Sequence, residues 1–180
     1  MKKTITMTTR IGRLMAGAGM AALVAGFAGY QSATLEAATT ATSSFNVTAN
    51  VTANCTIVAG NLGFGSYDPV VAQAASPLDQ TSTLTVACTK GTNATVSLDL
   101  GTHVSGSTRR MQSGTTATEF LTYELYTTGA HSVVWNATNT VAYTATSKAS
   151  SNLTVYGRVA AGQDAETGNY SDTIVATITF

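Results

Sequence analysis

Charge is scarce in this chain. Only nine Lys and Arg and nine Asp and Glu are spread over 180 residues. A nucleic-acid binder needs clustered Lys and Arg, so that class is excluded. Arg109-Arg110, the one basic pair after residue 39, reads as a solvated loop. Histidine is equally rare. His103 and His131 both sit in polar surroundings, and neither has a Cys or carboxylate nearby at ligand spacing. That argues against a metal site or a catalytic base. No phosphate loop, dinucleotide fingerprint or G-x-S-x-G elbow occurs. The two cysteines are too far apart for a CxxC redox pair. With no acid–base constellation an enzyme is not expected, and no cofactor is called for. The only two prolines, Pro69 and Pro77, fall in one loop region.

The N-terminus is a different kind of segment. Lys2, Lys3, Arg10 and Arg13 precede an uncharged run, Leu14 to Gly29, of Ala, Gly, Leu, Val and Met. A basic stretch followed by a short apolar one is the pattern of a secretory signal peptide. A bilayer span needs roughly 20 apolar residues, more than this run supplies. Residues 1–38 are therefore expected to be a cleaved signal, with the mature start between 29 and 41. From Thr39 onward there are five basic and eight acidic residues, a net charge of −3. Solubility then rests on Thr, Ser and Asn, and Thr also suits a half-buried pleated sheet. Cys55 and Cys88, an even pair in an exported chain, read as a disulfide, the alternative being two separately buried thiols.

What the mature region does contain is alternation, the period of a β-strand. From Ser44 to Cys55 it is unbroken. Phe45, Val47, Ala49, Val51, Ala53 and Cys55 lie on one face, and Ser, Asn and Thr on the other. A helical reading of its four-residue repeat fails, because Asn, Val and Thr are poor helix formers. Twelve such residues would extend about 40 Å, longer than a usual globular strand. The stretch divides into an arm over 39–51 and a first strand over 52–59. Gly60 to Pro69 is irregular backbone with aromatic anchors at Phe64 and Tyr67. Further strands are expected at 81–88, 93–100, 120–127 and 152–159, with weaker ones at 132–135 and 140–146. Gly101 to Thr118 reads as a loop. Ser171 to Phe180 alternates to its last residue, with Ile174, Ala176, Ile178 and Phe180 on the apolar face. Short strands separated by turns point to an all-β sandwich over 52–180. An apolar edge strand needs cover, and the arm is an unattached strand that could supply it to a neighbour or to its own chain.

Three stretches, taken in order, resemble the spore coat protein U family, which includes subunits of archaic, Csu-type chaperone–usher pili. They are Asn61-Leu62-Gly63-Phe64-Gly65-Ser66-Tyr67-Asp68-Pro69; Leu121 to Tyr126 with Trp135 following; and Val155 to Val159, then Gly168-Asn169-Tyr170-Ser171-Asp172 and the terminal strand. One departure is Asn136-Ala137 after the tryptophan, where glycine is more usual. The resemblance implies an incomplete immunoglobulin-like β-sandwich lacking its seventh strand. It implies a periplasmic chaperone that lends that strand and an outer-membrane usher where the arm of the next copy replaces it. Carried onto this sequence, the donor residues are Phe45, Val47, Ala49 and Val51. The acceptor groove and chaperone-binding strand are bordered by Ile174, Ala176, Ile178 and Phe180. The implied product is a surface fibre with a role in adhesion or biofilm formation. A tip or coat protein that binds a surface or glycan, and a monomer whose arm completes its own sheet, are the competing readings.

Overall fold

In the computed structural model of the chain, residues 38–180 are described. The signal-peptide expectation over 1–38 thus lies, but for Ala38, outside the described residues. Residues 38–54 carry no strand, and the fold begins with β1 (Cys55–Ala59). There follow β2 (Leu78–Cys88), β3 (Asn93–Leu98), β4 (Arg109–Ser113), β5 (Phe120–Tyr126), β6 (Val141–Thr144), β7 (Ser151–Val159), β8 (Tyr170–Ser171) and β9 (Ala176–Thr179). The described residues contain no helix. Every ladder is antiparallel. One sheet runs β1-β2-β7-β5-β4-β8 and the other β6-β3-β9, so six strands face three.

The alternation read from the sequence sets the inner faces. Leu84, Val86 and Cys88 of β2, Val96 and Leu98 of β3, Leu121, Tyr123 and Leu125 of β5, and Val155 and Val159 of β7 are buried. Their Thr and Ser neighbours point outward, which is what a sheet wet on one side requires. Trp135 fills the middle and is fully buried. Its indole N–H donates to the Val96 carbonyl at 2.9 Å, so the ring's one polar atom is satisfied.

Four expectations are corrected. The loop reading of 101–118 hid β4. Its inward positions are Arg109, Met111 and Ser113 rather than three apolar residues, so hydrophobic alternation could not reveal it. Arg109 is not a solvated loop residue but fully buried. Its guanidinium donates to the Asp99 carbonyl, to the Trp135 carbonyl at 2.7 Å and to Glu124 Oε2 at 3.1 Å. A buried charge survives only when paired and hydrogen-bonded in this way. Segment 132–135 forms only a bridge, Tyr126 to Val134, and not a strand. The first strand starts at Cys55 rather than residue 52. Thr89 extends its pairing by accepting from the Asn54 N–H at 3.1 Å and donating to the Thr52 carbonyl at 3.3 Å.

The irregular segment after β1 is pressed onto the large sheet. Ser82 Oγ donates to the Gly60 carbonyl at 2.8 Å, and Tyr67 Oη to the Ala160 carbonyl at 2.9 Å. Between these anchors Leu62 and Phe64 lie on Gly157 of β7. A Cβ there would come within 2.8 Å of Leu62 Cδ1 and 2.9 Å of Phe64 Cζ, so only glycine accommodates the two side chains as they stand.

Cys55 and Cys88 are bonded, and they face each other in the β1–β2 register. They are 33 residues apart in sequence. Closing a loop of that size removes unfolded-state entropy worth roughly 3.8 kcal/mol in the chain-entropy model. The double variant C55S/C88S is expected to unfold in urea with a free energy lower by about 3–4 kcal/mol. A loss below about 1 kcal/mol would show that the β1–β2 ladder holds without the bond.

Candidate functional site

The mismatch of six strands against three leaves part of the large sheet's inner face uncovered. β9 is an edge strand, hydrogen-bonded to β3 on one side only. β1 is an edge of the other sheet, bonded only to β2. Cα atoms of β1 and β9 come within 8 Å of each other, yet the two belong to different sheets. Along this seam an open cleft runs between the layers. One cavity of about 430 Å³ is lined by Leu84, Leu98, Tyr123, Leu125, Val155 and Ala176 among others. A second, of about 650 Å³, lies between the 62–70 and 165–170 segments over Met111, Leu121 and Val159.

Of the four groove-border residues named from the sequence, Ile174 and Ala176 line the first cavity. Ile178 packs beside Cys55, Cys88, Ala94 and Ala145. Phe180 lies beyond β9 and is 54% exposed. Phe45, Val47 and Val51 are exposed at 87%, 83% and 79%, and Ala49 is exposed too. The alternating apolar row of the arm is thus presented to solvent.

The terminal strand is not continuous, and its interruption shapes the cleft. β8 pairs with β4 in the large sheet, residues 172–175 cross over, and β9 pairs with β3 in the small one. Two aspartates hold the crossing. Asp99 Oδ1 accepts from the Val175 N–H at 3.0 Å and from the Gly101 N–H at 3.1 Å. Asp172, whose side chain is 2% exposed, accepts on Oδ1 from Thr102 N–H at 3.0 Å and Thr102 Oγ1 at 2.7 Å, with His103 Nδ1 at 3.1 Å. Its Oδ2 accepts from Tyr123 Oη at 2.8 Å. Gly101 has φ +81°, and a Cβ there would fall on the Asp172 carboxylate, so the turn needs glycine twice over. Burial pushes the Asp172 carboxyl up. The Thr102 and Tyr123 hydroxyls, with the Thr173 and Thr102 amides, outweigh that and hold it below the usual carboxylate range. Burial first, and then the Asp172 hydrogen bond, raise the Tyr123 phenol.

Sequence reading marked Ser171 and Asp172 only as part of a motif. Asp172 lies inside the terminal alternating run, in phase with Ile174 and Ala176, so no break in the pattern singled it out. Among the described residues no three His, Cys, Asp or Glu side chains gather as a metal site.

Comparison with known proteins bears on the same segments. The family model for the spore coat protein U domain matches residues 41–177. "Protein U" of Myxococcus xanthus is 37% identical over 156 residues, covering 79% of this chain and 87% of that protein. Among solved structures, the CsuC–CsuE chaperone–tip adhesion subunit pre-assembly complex, from archaic chaperone–usher Csu pili of Acinetobacter baumannii, superimposes with a TM-score of 0.53. Identity there is 21%, over 72% of this chain and 40% of that one. The likeness supports an immunoglobulin-like fold, and this chain spans well under half of its solved counterpart.

The Asp172 node carries a pH dependence of definite sign. Its folded-state pKa is depressed, so its contribution is complete above the ordinary carboxylate value and is lost as pH falls through the lower folded value. In a His103→Gln background, which removes the imidazole from the node, Asp172→Asn is expected to cost about 1.5–3 kcal/mol at pH 7. The gap between the two proteins should close below about pH 4, read by chemical unfolding across pH. A gap that stays constant down to pH 2.5 would show that the charge on Asp172 does no stabilising.

Proposed function

The chain belongs to the spore coat protein U domain family, and from that membership we propose that it is a structural subunit of a secreted surface fibre assembled by donor-strand exchange. The observation that carries this reading is the pairing, in one sequence, of an uncovered cleft beside edge strand β9 with an exposed alternating arm. A strand laid along β9 would satisfy its free backbone groups and seat every second side chain between the sheets. Burying a Val- or Phe-sized side chain contributes about 1.5–3 kcal/mol, so Phe45, Val47 and Val51 together supply a strong apolar drive. Because each copy would give its arm to one neighbour and receive another's, the contact is head-to-tail and does not close. Its product is a filament.

In this account a periplasmic chaperone holds the same cleft before assembly and an outer-membrane usher exchanges it for the arm. The archaic chaperone–usher complex with the related fold is the precedent. The fibre reaches the cell surface, where adhesion and biofilm formation are the roles such a polymer serves. No step calls for catalysis or a cofactor.

Deleting residues 39–51 removes the arm but leaves Cys55 and β1 to β9 intact. The deleted protein is expected to persist in complex with its chaperone and to form no fibre. Val47→Asp should behave likewise, since an unpaired carboxylate in an apolar cleft costs several kcal/mol unless it is neutralised. Electron microscopy of cells, with co-purification of the periplasmic complex, reads both. Abundant fibres from the arm-deleted protein would rule out the mechanism, and loss of the folded subunit itself would favour an arm that completes its own sheet.

A further inference from the structure

Leu62, Phe64, Met111 and Tyr170 line both cavities and so form the boundary they share, the waist of the cleft. We infer that Phe64 sets the register of the incoming strand, and that Ala49 of a second copy is the residue that passes it. This rests on the donor-strand reading above and deepens it.

The waist cannot open by retreat of the ring. Phe64 already lies against the Gly157 backbone, as closely as the absence of a Cβ permits. On another side it meets Tyr123 edge to face, with ring centroids 6.0 Å apart. Tyr123 is in turn fixed by its hydrogen bond to Asp172 at 2.8 Å. A ring held on two sides discriminates by size, because close-packed interiors accept even one extra methylene at a cost.

The arm carries a matching profile. Its inward row is Phe45, Val47, Ala49 and Val51, in which Ala49 is the single small residue. Ala53 is not available, since it lies two residues before Cys55, which is bonded into its own copy's β1. With Ala49 at the waist, Val47 and Val51 fall about 6–7 Å to either side, one towards each cavity. Both chain directions give this result. A slip by two residues would press a valine against Phe64 and leave Ala49 in a chamber it cannot fill. Overpacking and an unfilled void both disfavour such a slip.

The test is a size series in the full-length protein, made in the bacterium that produces it, with fibre yield measured from surface extracts and by electron microscopy. Ala49→Val should lower the yield and Ala49→Leu should lower it at least tenfold. Phe64→Ala alone should lower the yield through lost packing, and A49L/F64A should give at least three times the fibre of Ala49→Leu alone. Fibres from Ala49→Leu within twofold of the parent, or a double variant no better than Ala49→Leu alone, would overturn the assignment. Should Phe64→Ala not accumulate, Phe64→Leu replaces it. Should that also fail, the gradient from Ala through Val to Leu decides alone. An arm deletion that abolishes fibres while Ala49→Leu has no effect overturns the register assignment only. Fibres from the arm deletion overturn the donor-strand reading beneath it.

Discussion

The unpaired edge of β9 is the constraint on which the rest of the structure depends. A strand buried against a core exposes its free N–H and C=O groups only at a cost, and an apolar edge strand invites pairing. Here three strands face six, and two cavities open over the inner face of the larger sheet. Everything near the seam fits that condition. The disulfide fastens β1 where it passes Ile178, the crossing at 172–175 fixes where β9 begins, and Leu62 and Phe64 cover part of the sheet that no strand reaches.

So few charges in the chain would suggest that electrostatics matters little, yet buried charges hold the two least regular places. Arg109 ties β4 to Glu124 of β5 and to the carbonyls of Asp99 and Trp135. Asp172 ties the crossing to the 101–103 turn and to Tyr123. In each case a charged group gathers backbone or hydroxyl partners that a sheet ladder leaves without a mate. That is how a sandwich of short strands can turn corners without orphaned polar atoms. Indeed, among the described residues no buried side-chain nitrogen or oxygen lacks a partner.

These two nodes also mark the limit of what the sequence made legible. β2, β3, β5 and β7 could be read because their inner faces are apolar at every second position. β4 could not, since an arginine and a serine occupy buried positions there. The break in the terminal strand was hidden for a related reason. Asp172 falls in phase with Ile174 and Ala176, and the alternation passes through it unchanged while the chain changes sheets. Of the candidate site, the alternation of the terminal segment and of the arm was visible as pattern. The cleft's floor was not, because Leu62, Phe64 and Gly157 come together only through the fold.

The central claim is that β9 and the arm complete one another between copies. Hydrogen–deuterium exchange on fibres and on the subunit released from them tests it most directly. The account predicts that amides of residues 45–51 and of Ala176–Thr179 gain strong protection together in the fibre, and that the arm exchanges freely in the released subunit. An arm that exchanges freely in the fibre, or is equally protected in both, would contradict it.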